Sequence, residues 1–232
     1  MIADNLGAVR QRITAACGAA GRCVQSVTLV SVSKTVDAPG IREAFAAGAA
    51  DFGENYAKEA IAKIDALADL RERLTWHMIG PLQSNKTNLI AKSFDWVHSI
   101  DRLRIAERLS EQRPRHLAPL QVCIQVNVSG EASKSGVASE ELFGLVRAMQ
   151  GLTGLRLRGL MSIPQPVSDP AAQRIPHRSL KNMLVTLNAL GFGLDTLSMG
   201  MTADLEAAIL EGATIVRVGT AVFGSRPAAA PF

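Results

Sequence analysis

Short apolar runs and amphipathic stretches alternate along nearly all of this 232-residue chain. No other feature restricts the fold as much, because strand and helix in regular succession imply a parallel sheet with helical crossovers. The strand candidates are residues 26–33, 50–53, 75–79, 96–100, 120–128, 155–160, 194–197 and 214–218. Helical stretches lie between them at 41–47, 56–67, from 86 onward, and at 101–112, 139–149, 176–190 and 203–210. An opening helix places Leu6, Val9 and Ile13 on one face, with Asp4 as its expected cap, and Asp101 is expected to cap a later one. This many repeats in this length predict an α/β fold, a single (β/α)8 TIM-type barrel with an extra N-terminal helix. It would be one domain over 1–232, with 226–232 expected to fray. The competing fold is an open doubly wound sheet, which usually has a glycine-rich turn after its first strand. Here that place reads Lys34-Thr35-Val36.

Composition excludes several function classes. The net charge is +4, but basic and acidic residues are interspersed and aromatics are only 4%, unlike a nucleic-acid stripe. No run is long and apolar enough to span a bilayer. Asp4 and Arg10 interrupt any basic-then-apolar signal pattern. Cys17, Cys23 and Cys123 lack metal-ligand spacing. The expectation is a reduced, cytoplasmic chain without nucleic-acid, membrane or metal partners.

Barrel sites are built at the C-terminal ends of strands. Those positions hold Lys34, Glu54-Asn55, His77 with Gly80, His98-Ser99, Asn127, Met161-Ser162, Ser198 and Arg217 to Thr220. Lys34 is the most informative, because a lysine at a barrel mouth can lose its proton and form a Schiff base with a carbonyl. It could equally snorkel to solvent. His77 could be a satisfied core histidine, Asn127 a turn cap and Met161 rim packing. Ser198 with Gly200, and Gly219 with Thr220, follow the last two strand candidates. Small residues there let backbone N–H groups approach a phosphate, and a following helix start adds a favourable dipole. Gln83, Asn85 and Lys86 could be a solvated helix start or an anion contact.

Several stretches resemble the pyridoxal phosphate homeostasis family (the YggS/PROSC type). They are residues 30–35 (VSVSKT), 52–56 (FGENY), 76–86 (WHMIGPLQSNK), 126–129 (VNVS), 134–136 (KSG), 159–161 (GLM), 197–201 (LSMGM) and 216–224 (VRVGTAVFG). They cover almost the whole chain in order. The resemblance implies a barrel like the N-terminal domain of alanine racemase, holding pyridoxal 5′-phosphate as an aldimine on Lys34. It assigns the phosphate to Ser198, Gly219 and Thr220, with the backbone near Met199 and Gly200. It sets Arg217 against the pyridine nitrogen, and Asn55, His77 and Met161 around the ring. One departure is Ile175-Pro176-His177-Arg178, where the family usually has a phenylalanine leading the helix, which puts that loop's conformation in question.

A permanent cation beside the pyridine nitrogen disfavours its protonation and weakens the ring as an electron sink. A racemase also needs two bases on opposite faces of the substrate carbon. Lys34 could be one. In fold-related racemases the other is a tyrosine from a separate C-terminal domain, and the only tyrosine here is Tyr56. The expected function is therefore that of a monomeric carrier that stores, buffers or delivers pyridoxal phosphate, with apo-enzymes as recipients, and not that of an enzyme. The alternatives are a weak racemase-like pyridoxal phosphate enzyme and a Schiff-base aldolase barrel.

Overall fold

The computed structural model describes residues 1–129 and 135–224. The elements in chain order are α1 (Ile2–Ala19), β1 (Thr28–Val32), α2 (Ala38–Ala46), β2 (Asp51–Glu54), α3 (Ala57–Ala66), β3 (Thr75–Met78), α4 (Thr87–Ser93), β4 (Trp96–Ile100), α5 (Leu103–Gln112), β5 (Leu120–Gln125), α6 (Leu142–Met149), β6 (Leu155–Met161), α7 (Pro170–Ala189), β7 (Thr196–Ser198), α8 (Leu205–Leu210), β8 (Ile215–Val218) and α9 (Thr220–Phe223). The strands pair in sequence order, all parallel, and β8 closes on β1 through Thr28 opposite Ile215 and Val30 opposite Arg217. This is the (β/α)8 barrel the alternation predicts, with α1 as the extra N-terminal helix.

The apolar core includes Phe52, Trp76, Ile90, Phe94, Ile105, Leu109 and Leu120, all fully buried. Not every buried side chain is apolar. Ser31, Ser33, Glu54, His77, His98, Ser162, Ser198 and Arg217 are all buried polar groups on or just beyond the barrel strands. Buried polar groups cost free energy unless paired, so this ring marks the region where function outweighs stability.

Several boundaries differ from the sequence expectation. Asp4 does not cap α1, which begins at Ile2; it lies in the first turn, near the N-terminal ammonium. Asp101 does not cap α5 either. Arg102 is the capping position, and Asp101 instead accepts from its guanidinium at 2.6 Å. α7 starts at Pro170, six residues before the expected Pro176, because Asp169 caps it with a 2.7 Å bond from the Ala172 N–H. Proline is favoured at the first helical position, so Pro170 marks the true start and Pro176 lies inside. β5 ends at Gln125 rather than at residue 128, and Val126 then bridges to Val137. The expected loop at 130–136 falls largely outside the described residues, as does the tail at 226–232.

Candidate functional site

Most residues expected in the site stand at or beyond a C-terminal strand end, so closure of the barrel brings them toward one mouth, while His77 and Arg217 lie one residue inside the ends of β3 and β8. Lys34 follows β1 and is half-buried. Its neighbour Thr35 has φ +63°, a left-handed conformation that a β-branched residue adopts only under constraint. Asn55 follows β2, and its backbone is pressed by Gly80, where an added Cβ would stand 2.2 Å from the Asn55 carbonyl oxygen. A cleft of about 880 Å³ opens against Thr35, Asn55, Tyr56, Glu59, Gln83 and Lys86.

On the opposite side of the mouth, Met161 closes β6, and Ser198 closes β7. Met199 and Gly200 form the turn beyond. Gly200 has φ +93°, and a Cβ there would meet the Ala208 Cβ at 2.5 Å, so only glycine fits. Asp204 holds this turn by accepting from the Met201 N–H at 2.7 Å, and His177 in α7 lies 3.0 Å from its other oxygen. Burial works to raise the Asp204 pKa, but the bonds from His177 and Met201 outweigh it, and the net direction is down. The departure at 175–178 therefore keeps a link to the turn after β7. Gly219 is the capping residue of α9, and Thr220 beside it is exposed.

Arg217 is 4% exposed and donates to the Ser198 hydroxyl (2.7 Å) and the Ser162 carbonyl (2.8 Å). Burial lowers its pKa to about 10, so it keeps its charge at neutral pH. From Arg217 a chain of hydrogen bonds crosses the barrel. The Ser198 hydroxyl is 2.7 Å from His98 Nδ1, His98 Nε2 is 3.0 Å from His77 Nδ1, and His77 Nε2 is 3.1 Å from the Asp51 carboxylate. β4 and β7 are not neighbours in the barrel, so the Ser198–His98 bond spans the lumen. Arg217 can only donate and a carboxylate only accept. A pattern that satisfies every link has Ser198 donating to His98, His98 to His77 and His77 to Asp51, each ring donating from Nε2. Burial, with His77 and Arg217 adding to it, pushes the His98 pKa well below the usual histidine range, in keeping with that pattern.

Two expected contacts therefore face other partners. The Ser198 hydroxyl is committed to Arg217 and His98, leaving no donor for a phosphate. His77, expected beside a ring, reaches Asp51, the first residue of β2, and so points toward the opposite end of the barrel. Ser162 keeps a buried hydroxyl with no hydrogen-bond partner among the described residues. Such an atom at a barrel mouth fits a site built for a polar ligand.

A model of the alanine racemase N-terminal domain matches residues 5–227. The pyridoxal phosphate homeostasis protein of Pseudomonas aeruginosa is 59% identical over 230 residues, covering 99% of this chain and 98% of that protein. The chain belongs to this family. The Escherichia coli K12 protein of the same name is 50% identical, with 97% of each chain covered. PipY of Synechococcus elongatus, whose structure has PLP bound, superposes with a TM-score of 0.84 at 35% identity, over 97% of this chain and all of PipY. Alanine racemase from Corynebacterium glutamicum shares the fold at a TM-score of 0.69 and 16% identity, over 100% of this chain and 63% of the racemase.

Sequence reasoning missed the roles of Asp51, His98, Glu54 and Lys63. His98 and Glu54 stand at expected strand ends, so their position was visible. Their partners were not, because the Ser198–His98 bond joins residues 100 positions apart. Lys63 reads as an ordinary helix lysine, yet it is buried with Glu54 beneath Lys34. Among the described residues no cluster of three or more metal-ligating side chains occurs, and no helix is long and apolar enough to cross a membrane.

Proposed function

We propose that this protein binds pyridoxal 5′-phosphate at the barrel mouth through the ε-amine of Lys34, and stores, buffers or delivers it to apo-enzymes as a monomer. The observation that carries the reading is Lys34 at the end of β1 in a chain that superposes along 97% of its length on PipY, a protein with PLP bound. The residues present fit the group. Lys34 supplies an amine, the Gly200 turn and Gly219–Thr220 supply small residues and a hydroxyl for a phosphate, and Arg217 supplies a fixed cation for the ring nitrogen. Asn55 and Met161 would flank the ring. The Ser198 hydroxyl would act indirectly, holding Arg217, while the backbone at Met199 and Gly200 takes the phosphate.

Bound there, the cofactor brings an aldehyde able to condense with amines. The protein's part is to hold it and limit its chemistry. Arg217 is charged at neutral pH and cannot accept a proton, so it disfavours a protonated pyridine ring. Tyr56 is 47% exposed on the rim at the start of α3, and a second base opposite Lys34 is not among the roles this reading assigns. A carrier fits this arrangement better than a racemase.

The test is Lys34→Ala. The parent should turn yellow with pyridoxal phosphate, and borohydride followed by peptide mapping should find the label on Lys34. The variant should fold yet lose both signals. A main adduct at Lys86 or Lys58 in the parent would defeat the assignment.

A further inference from the structure

Beneath Lys34 lies a buried ionic cluster that the function above does not use. Lys63, from α3, has a side chain only 9% exposed, and that of Glu54, at the end of β2, is fully buried. The Lys63 ammonium donates to both Glu54 oxygens at 2.8 and 3.0 Å, to Glu59 at 2.5 Å and to the backbone carbonyl of Ser33 at 2.7 Å. The Ser33 hydroxyl donates to Glu54 at 2.6 Å, and the Thr35 N–H donates to Glu59 at 2.6 Å. The cluster thus grips the residue before Lys34 and the residue after it.

Thr35 gives this grip a purpose. A non-glycine residue in a sparsely populated backbone region costs about 1–3 kcal/mol and persists only where its surroundings over-determine it. At φ +63°, Thr35 is held by its bond to Glu59, which Lys63 in turn anchors four residues along the same helix. Burying a carboxylate and an ammonium, with a second carboxylate partly covered, is a poor way to gain stability, since apolar replacements of buried ion pairs are often neutral or better. Burial pushes the Glu54 pKa up, against the lowering effect of Lys63, so the arrangement is held at a cost.

We infer that Glu54, Lys63 and Glu59 are positioning residues that fix the backbone on both sides of Lys34 and so aim its ε-amine at the ligand carbonyl. The inference rests on Lys34 being the attaching amine. Attachment joins one aldehyde to one neutral amine and releases one water, so it depends on how the amine is presented. Binding of ring and phosphate does not.

The experiment compares two ligands on the full-length protein. Pyridoxal 5′-phosphate reports attachment through the rate at which its visible band shifts. Pyridoxine 5′-phosphate has the same ring and phosphate without the aldehyde, and reports binding alone. Lys63→Met and the isosteric Glu59→Gln should slow attachment by about ten- to a hundred-fold, the scale of an ångström of misplacement, with little change in pyridoxine 5′-phosphate affinity. Lys63→Arg should recover part of the rate. In ligand-free Glu59→Gln, the Thr35 amide should exchange its hydrogen faster than in the parent, a readout that stands even where Lys63→Met fails to fold. Equal losses for both ligands, or attachment at the parent rate in Glu59→Gln, would overturn the inference. A parent whose mapped adduct is absent from Lys34 would instead overturn the reading it rests on.

Discussion

Replacing Arg217 with methionine should leave the ligand-free protein about as stable as before, although it deletes a fully buried charge. Burial brings the guanidinium from its ordinary value down to about 10, and at about 1.4 kcal/mol per unit keeping that charge inside the barrel costs about 3 kcal/mol. The sign follows from the direction of the shift. A base with a depressed folded pKa carries its full penalty below that pKa, and the penalty is relieved only as pH rises above about 10 toward the unfolded value. At neutral pH the whole cost is present, and methionine removes it while occupying similar space. Against that gain, the Ser162 carbonyl loses its 2.8 Å donor, and a buried acceptor left unpaired costs about 1–3 kcal/mol. Ser198 still bonds His98. The two effects nearly cancel, so stability should stay within about 2 kcal/mol of the parent. Urea unfolding of both ligand-free proteins at neutral pH measures this, and pyridoxal phosphate titration should show weaker binding by the variant. Destabilisation of about 3 kcal/mol or more, beyond the loss of one buried hydrogen bond, would refute the reasoning and make Arg217 a structural strut.

Thr220→Val removes the exposed hydroxyl beside Gly219 and should weaken pyridoxal phosphate about tenfold without affecting unphosphorylated pyridoxal; parallel losses in the two titrations would take Thr220 out of the phosphate site. His98 resists protonation in the fold, so as pH drops below the unfolded value of 6.5 the unfolded chain takes up a proton that the buried ring refuses. Stability should therefore fall by up to about 1.4 kcal/mol per unit, and urea midpoints of His98→Asn should lack that share of the acid slope. Gly159→Ala would set a Cβ 1.8 Å from the Thr196 carbonyl oxygen, where β6 meets β7, and should cost about 3 kcal/mol or more, seen as a lower Tm. An unchanged Tm would mean that the two strands can separate at no cost.

What local pattern determines was legible from the sequence. The period of the apolar residues separated strands from helices, and eight such repeats pointed to a parallel sheet, with a closed barrel as the best fit. The same logic put Lys34, Ser198 and Arg217 at strand ends, and Gly200 just beyond one, while its left-handed backbone emerged only in the fold. Helix starts were less secure. Asp4 and Asp101 are good capping residues by type, but a cap also requires the right backbone geometry, and the chain places Met1 and Arg102 there instead. Only the tertiary structure decided what the polar side chains touch. Ser198 faces His98 and Arg217 because barrel closure brings β4, β7 and β8 around one lumen. Lys63 grips Glu54 and Ser33 because the fold brings its position in α3 within reach of the C-terminal ends of β1 and β2. Periodicity is set by neighbours a few positions apart, whereas a buried bond depends on the direction of two side chains brought together by strand register, and one sequence does not carry that information locally.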